Sequence, residues 1–452
     1  MALLIDKPQT VEGDGFRITL NKQGENAYIK QRRPVIYGVH SEIMTDTAIL
    51  HFNKNNEIVR AEGRGADWPS DLDFLKRTAG NDWVYYSSGG YTGARDTLSG
   101  ETFSAPVSFR NPSPYSEVYK MLGEYYLPNL PYDSNSILEG VPFNSRHIKH
   151  LIETWYSEVE IVCEQASSLP PEFQAFLTEA GRNSPDRLQR KAEQLFDVCG
   201  GRQSVLPPDT RHVDYNVIPL NITRGCLYKC SFCQVKNKSA FSTATRAEID
   251  AQLHNLRTIY DRDICNYNAL FLGEHDALNA PDDTLLYAIE QAIDRLGLTR
   301  SYMRGGNIFL FGSVASFMGK EERLFSLLSK LDVNFYINIG LESADQATLD
   351  HLGKPLKSEQ VIDCFERMQH MNRKFENVEF TANFVLDEGL PDGHIPAFLD
   401  LVGNHDCAPS PKGTVYLSPL CFTPPSARSL FEVSQLKALS NYPTFLYLIQ
   451  QL

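Results

Sequence analysis

Three cysteines crowd into one short stretch: Cys226-Leu-Tyr-Lys-Cys230-Ser-Phe-Cys233 reads Cys-x3-Cys-x2-Cys, with an aromatic residue directly before the last thiol. Three thiolates on one loop can hold three irons of a four-iron cluster and leave the fourth iron open for another ligand. Other chemistries ask for other residues. A structural zinc site wants a fourth protein ligand, and neither His nor Cys follows closely after Cys233; Lys236 and Lys238 are not usual ligands. An electron-transfer cluster wants a fourth thiol at ferredoxin-like spacing, whereas Cys265 and Cys364 stand alone and far away. A disulfide framework fits poorly, because nine cysteines is an odd number in a chain of 452 residues with no secretion signal. An iron cluster with an open site is the leading reading of the triad, and zinc the main alternative.

Such a loop must be held by regular elements. After about residue 211 the sequence alternates short apolar runs with amphipathic stretches, the pattern of a parallel α/β sheet or barrel. The first expected strand, Tyr215 to Ile222, leads through Thr223-Arg224-Gly225 into Cys226. That puts the thiols at a strand's carboxyl end, where α/β barrels carry chemistry. Ile249, Leu253, Leu256 and Ile259 share one face of the helix that follows. The second unit joins Ala269 to Leu272 with a helix from Thr284 to Leu296, and the third joins Ile308 to Phe311 with a helix around Glu321 to Leu331. The fourth joins Phe335 to Gly340 with helices at Asp345 to Leu352 and Ser358 to Met371. Val378 to Leu386 with a helix near His394 to Val402 makes the fifth, and Thr414 to Leu420 is the sixth strand.

Composition sets the surroundings. At 42% hydrophobic and 22% charged, the chain reads as a soluble folded protein of two or three domains. The opening Met-Ala-Leu-Leu-Ile-Asp-Lys-Pro is too short an apolar run for a signal peptide, and no stretch approaches the ~20 apolar residues of a membrane span. The expected compartment is the cytoplasm, where free thiols persist. A net charge of -13 disfavours nucleic acid as a partner, since phosphate contacts need clustered Lys and Arg.

With the elements placed, the triad resembles the signature of the radical S-adenosylmethionine (radical SAM) superfamily, and residues 211–430 resemble its partial (β/α)6 barrel. Three further segments are similar to the core shared by elongator-type acetyltransferase radical domains, methylthiotransferases and anaerobic coproporphyrinogen dehydrogenase: Phe271-Leu-Gly-Glu-His-Asp-Ala-Leu278, Ile339-Gly-Leu-Glu-Ser-Ala-Asp345 and Tyr416-Leu-Ser-Pro-Leu420. The resemblance implies that Cys226, Cys230 and Cys233 ligate a [4Fe-4S] cluster whose open iron chelates S-adenosyl-L-methionine (SAM). An electron from a donor such as flavodoxin or ferredoxin then splits the sulfonium into methionine and a 5'-deoxyadenosyl radical, which takes a hydrogen atom from the substrate.

It also implies SAM contacts. In the family a Gly-Gly-Glu motif after the second strand holds the methionine amino group; Leu272-Gly273-Glu274 keeps one glycine, and Gly273 and Glu274 still offer close backbone approach and a charge partner. A solvated loop carboxylate is the plain alternative for Glu274. Glu342 and Ser343 match the family's Gly-x-Glu-Ser segment, a ribose and methionine contact, while Ser343-Ala-Asp-Gln346 also reads as a helix capping box. Lys354 stands where relatives often carry a basic residue, or else complements a helix end. Phe232, Phe384, Val385, Leu417 and Leu420 correspond to adenine-side positions, although Phe384-Val-Leu-Asp-Glu-Gly389 lacks the usual glycine spacing, and core packing is the ordinary role of an apolar strand residue. Cys421, directly after Leu420, is a candidate hydrogen-atom donor at the barrel mouth; its plain alternative is a small buried hydrophobe. Cys163, Cys199, Cys265, Cys364, Cys407 and Cys421 form no Cys-x2-Cys pair, so no auxiliary cluster is expected, and the absence of an Asp-x-His-x-x-Gly run argues against a cobalamin domain. A methylthiotransferase would carry three thiols in its first domain, which lies before Cys163 here.

The rest of the chain is expected to divide around this core. Residues 1–145 read as a strand-rich domain, with strands at Phe16 to Asn21, Val35 to His40, Ala48 to Phe52 and Glu57 to Ala61. An aromatic stretch follows, from Trp83-Val-Tyr-Tyr86 through Tyr91, Tyr115, Tyr119, Tyr125, Tyr126 and Tyr132, suited either to substrate recognition or to packing on the barrel. Residues 146–210 read as a helical connector and 431–452 as a helical tail broken at Pro443. The expected architecture is thus α/β: a partial (β/α)6 radical SAM barrel with an N-terminal strand-rich α+β domain and a helical connector. The expected activity is radical modification of a small molecule or a protein or peptide. An RNA-modifying enzyme and a non-catalytic metal-binding scaffold are the alternatives.

Overall fold

The computed structural model describes residues 6–27, 38–68, 74–86, 142–203, 205–213, 215–228, 230–233, 240–403, 412–420 and 427–447. Tyr91, Tyr115, Tyr119, Tyr125, Tyr126, Tyr132 and Cys421 lie outside them, as does the beginning of the strand expected at Val35.

Two seven-stranded sheets organise the chain. The first is an antiparallel meander in sequence order: β1 (Gln9–Gly13), β2 (Phe16–Gln23), β3 (Val39–Thr45), β4 (Ala48–Phe52), β5 (Ile58–Gly63), β6 (Phe74–Arg77) and β7 (Trp83–Tyr86). Its strands alternate. Ile18, Ile43, Leu50, Phe52 and Ile58 point to one face and form a core with Ile148, Leu151, Trp155 and Val159 of the helix Arg146–Glu164 and with Phe173, Phe176 and Leu177 of the helix Pro171–Arg182. These two helices, expected as a connector, therefore share a core with the first sheet. The next helix, Pro185–Cys199, gives Leu188 to that core and Leu195 and Cys199 to the following one, so it joins the two.

The second sheet is parallel, each strand lying beside its predecessor: β8 (Ile218–Leu220), β11 (Ala269–Leu272), β12 (Gly306–Gly312), β13 (Val333–Glu342), β14 (Val378–Leu386), β15 (Val415–Pro419) and β16 (Thr444–Leu446). A separate short ladder, β9 (Thr223–Arg224) with β10 (Ser242–Thr243), follows the first of these strands. Pro219 sits within β8, an edge strand, where a missing N–H disturbs no ladder on the open side. The pleat again sorts the side chains. Leu270, Leu272, Ile308, Leu310, Ile337 and Phe380 face the helices that follow each strand, in the largest core of the molecule. Ala269, Phe271 and Phe309 face the other way, together with Phe74 and Val84 of the first sheet. This is the partial α/β barrel the sequence leads one to expect, with two differences. The expected third helix is two short ones, Val314–Gly319 and Glu322–Leu328. The expected helical tail is a helix, Ala427–Leu439, followed by the strand β16, whose Leu446 enters the outer core while Phe445 and Tyr447 pack with Tyr416.

The two sheets meet at the amino-terminal edge of the parallel one. Asn266, just before β11, bonds Val39; Arg304, just before β12, donates from its N–H to Asn26; and Asn216, just before β8, accepts from Lys76. Among the described residues no helix is long and apolar enough to cross a membrane.

Candidate cluster and cofactor site

The thiol loop leaves the opposite, carboxyl edge of the parallel sheet. β9 pairs antiparallel with β10, Thr223 opposite Thr243 and Arg224 opposite Ser242, which ties the ends of the loop together. Cys226 is exposed, Cys233 half-buried and Cys230 buried. The middle of the loop is fastened to another unit: the N–H and the hydroxyl of Ser231 both donate to the carbonyl of Leu352, at 3.0 and 2.7 Å. Tyr228, between the first two thiols, accepts a hydrogen bond from the Ala315 N–H at 3.2 Å, and its ring lies 5.5 Å from the Lys354 ammonium. Loops from three βα units thus converge on one short segment.

This donor set fits a cluster better than a single ion. Three thiols share one loop and neither His nor Cys follows closely after Cys233 in the sequence, which suits a cluster with one open iron and leaves a structural zinc ion short of its fourth ligand. Burial pushes the Cys230 thiol up to about 11, opposed by the nearby Lys354 charge. Metal ligation deprotonates such thiols, and the ammonium stands where it stabilises the thiolate.

Lys354 is buried, and its Nζ donates to the Gly340 carbonyl at 2.6 Å and to Glu342 Oε1 at 2.9 Å. Burial opposes its charge, but Glu342 and the Cys230 thiol outweigh that, so its pKa is raised. The register of β13 against β14 shifts between Gly340 and Glu342, and Glu342 takes a left-handed φ of 65°. This bulge turns the carboxylate back over its own strand toward Lys354. The helix-end role considered for Lys354 gives way to a buried ion pair.

Ser343 is also buried. Its hydroxyl donates to His394 Nδ1 at 2.8 Å, because His394 Nε2–H is given to the Val385 carbonyl, and it accepts from the Asp345 N–H. The cap of the following helix, Gln346–His351, is Asp345, whose carboxylate accepts from the Thr348 N–H at 2.8 Å; the capping box expected at Ser343 lies two residues too early. Gly273 has φ 72°, and a Cβ there would lie 2.8 Å from Ala277 Cβ and 3.0 Å from Thr223 Oγ1, so only glycine fits. Glu274 is partly exposed, 3.9 Å from His275 Nε2.

Phe232 and Leu420 are half-buried at this edge. Phe384 and Leu417 point away into the helical layer, Phe384 edge-on to Phe398 at 5.1 Å. The pleat places Asn383 and Ser418 on the inner face instead, joined by a 2.8 Å hydrogen bond from the Ser418 hydroxyl. Sequence reasoning did not single these two out, although period-two alternation along β14 and β15 marks them. It also passed over Asp276. One oxygen of this buried carboxylate accepts from the Ser313 N–H and the Ser316 hydroxyl, while the other has no partner among the described residues. Burial raises its pKa; burial also raises that of Cys226, with the Asp276 charge adding to the shift.

Residues 220–402 match the family model described as the Radical SAM superfamily. No curated protein matches the chain. Among solved structures, the chain is similar to the apo, selenomethionine-labelled cobalamin-dependent S-adenosylmethionine radical enzyme OxsB, with 17% identity and a TM-score of 0.31 over 42% of this chain and 26% of that one. It is also similar to a radical SAM methyltransferase from Sphaerobacter thermophilus, with 15% identity and a TM-score of 0.36 over 51% of this chain and 65% of that one. Methylornithine synthase (PylB) aligns with 11% identity and a TM-score of 0.32 over 63% of this chain and 80% of its own. The chain thus spans about a quarter of the OxsB chain it matches. Residues 220–402 are thus a domain of the radical SAM superfamily, whose members bind a [4Fe-4S] cluster and SAM.

Proposed function

We propose that this protein is a radical SAM enzyme in which Cys226, Cys230 and Cys233 hold the cluster and the carboxyl edge of the parallel sheet holds SAM. The observation that carries the reading is the three-thiol loop, fastened by Ser231 to Leu352 and lying over the Glu342–Lys354 pair. When bound, cluster and SAM together supply reductive cleavage of the sulfonium, giving methionine and a 5'-deoxyadenosyl radical that abstracts hydrogen from a substrate.

The chain's own residues position and protect. Gly273 allows a close approach of backbone at the head of the second loop, and Glu274 gives a carboxylate for an ammonium group. Glu342 orients from the end of β13, with Lys354 holding its carboxylate in place. Ser343 acts as a positioning residue, locking the turn after Glu342 to His394 and hence to the end of β14. Phe232 and Leu420 offer apolar surface to an adenine ring. Asn383 and Ser418 line the inner face nearby and suit a polar group.

The substrate is a small molecule or a protein or peptide. A net charge of -13 favours these over RNA. The reductant is a small electron-transfer protein such as flavodoxin or ferredoxin, and the compartment the cytoplasm. Anaerobic reconstitution tests the reading. Wild type is expected to hold four irons per chain and to make 5'-deoxyadenosine from SAM only with a reductant. Cys226→Ala, Cys230→Ala and Cys233→Ala are each expected to abolish it. One zinc and no SAM cleavage would establish a scaffold instead. Deuterium transfer into 5'-deoxyadenosine from candidate compounds identifies the substrate.

A further inference from the structure

A second set of metal-ligating side chains lies at the opposite edge of the parallel sheet, far from the thiols in the fold. Alternation along β3 puts His40 and Glu42 on the face of the first sheet that its helices do not cover, and the β3–β4 register sets His51 directly opposite Glu42. The three are 4%, 3% and 2% exposed. The two imidazole rings are 4.9 Å apart, and one ligand atom from each of the three residues falls within 4.8 Å of the others. Among the described residues they are the one such trio of His, Cys, Asp or Glu.

Neither nitrogen of His40 has a hydrogen-bond partner among the described residues, and His51 Nδ1 has none. Burying an unsatisfied polar atom costs on the order of 1–3 kcal/mol, so three orphaned nitrogens in two adjacent rings require an explanation. His51 Nε2 lies 2.9 Å from Glu42 Oε2. That separation suits a hydrogen bond in the metal-free protein, and it is near the ~3.3 Å between neighbouring ligands of a tetrahedral ion with bonds of about 2.0–2.1 Å.

We propose that His40, Glu42 and His51 bind a divalent zinc-class cation, with water completing its coordination. Two imidazoles and a carboxylate are one of the donor sets of three-ligand zinc sites. His51 Nε2 and Lys22 Nζ both reach Glu42 Oε2, which draws the carboxylate to the imidazoles before any ion arrives. Lys22 completes the device: its ammonium donates to Glu42 Oε2 at 2.6 Å while its side chain remains 42% exposed. It balances the carboxylate before the metal arrives and can swing into solvent afterwards, which also opens a path for the ion. Val39, beside His40, is clasped by Asn266, so the ion would brace the junction between the sheets.

Co2+ is the probe for the test, because ligation by nitrogen and oxygen gives visible ligand-field bands without the near-ultraviolet thiolate charge transfer expected at Cys226, Cys230 and Cys233. The full chain with all three cysteines changed to serine is titrated first, followed by the same chain carrying His40→Gln or His51→Gln. The expected result is one Co2+ per chain with ligand-field bands, displaced by Zn2+, and a loss of affinity on the order of 100-fold or more in each histidine variant. Circular dichroism and unfolding midpoints check that the glutamine variants fold. A chain that takes up no Co2+ once the cysteines are gone overturns the proposal without reference to any histidine variant. Unchanged affinity in folded His40→Gln and His51→Gln protein overturns it as well.

Discussion

Lys354 and Glu342 hold each other's charge in a place neither would occupy alone. The ammonium has two oxygen acceptors, Glu342 and the Gly340 carbonyl, on a side chain that is almost entirely buried. Removing one partner of such a pair leaves an uncompensated buried charge, which costs more than the intact pair contributes. Lys354→Met is therefore expected to destabilise the fold by about 3 kcal/mol, read from urea unfolding. Adding Glu342→Gln to that variant is expected to restore part of the loss, because the orphaned carboxylate is gone. A double variant as unstable as the single one would assign the loss to packing of the lysine stem. The motif after β13 marked Glu342 in the sequence, but not its partnership. The pairing depends on a bulge and a left-handed φ at a non-glycine residue, which no residue type announces.

At the scale of elements, strands covered on both faces begin and end where their apolar residues say they should. Ala269–Leu272, an unbroken apolar run buried at every position, and Val378–Leu386 are of this kind. The strand Thr444–Leu446 was hidden because it is short and follows Pro443; its place comes from pairing with β15, not from its own pattern. Strand β3 was obscured for another reason. His40, Ser41 and Glu42 are polar, yet all three are buried, Ser41 on the face that the helices cover and His40 and Glu42 on the other, and such tertiary cover is not contained in a local window. Asn266 makes that packing specific by acting as a one-residue strand. Its amide accepts from the Val39 N–H at 2.8 Å and donates to the Val39 carbonyl at 2.9 Å. Gly38 makes room, since a Cβ there would lie 2.6 Å from the Asn266 oxygen. Asn266→Ala strips both partners from Val39 and is expected to cost about 2 kcal/mol. Amide hydrogen exchange at Val39 is expected to accelerate more than exchange in the middle of β13. Uniform acceleration through both sheets would mean that Asn266 supports the whole fold and not this junction.

Over the whole molecule, the two sheets are joined through a buried acid. Asp263 accepts from the Lys54 N–H at 3.1 Å and from Asn266 Nδ2 at 2.7 Å, bringing the turn after β4 onto the segment that precedes β11. Burial raises its carboxyl pKa from the ordinary 3.8 to about 7, with Glu57 adding to the shift and the two donors opposing it. Between these values the folded chain keeps a proton that the unfolded chain releases, so stability falls as pH rises through the interval. The contribution is complete below the unfolded value and gone above the folded one. Asp263→Asn retains an oxygen to accept both hydrogen bonds and has no proton to lose. Its urea midpoint, compared with that of the wild type, is therefore expected to improve between about pH 5 and about pH 8. Hydrogen exchange at the junction shows where the difference arises: at the higher pH the Lys54 amide of the wild type should exchange faster than in the variant. If both proteins lose stability in parallel across that range, Asp263 is ionised in the folded state and the Lys54 and Asn266 donors, not burial, set its charge.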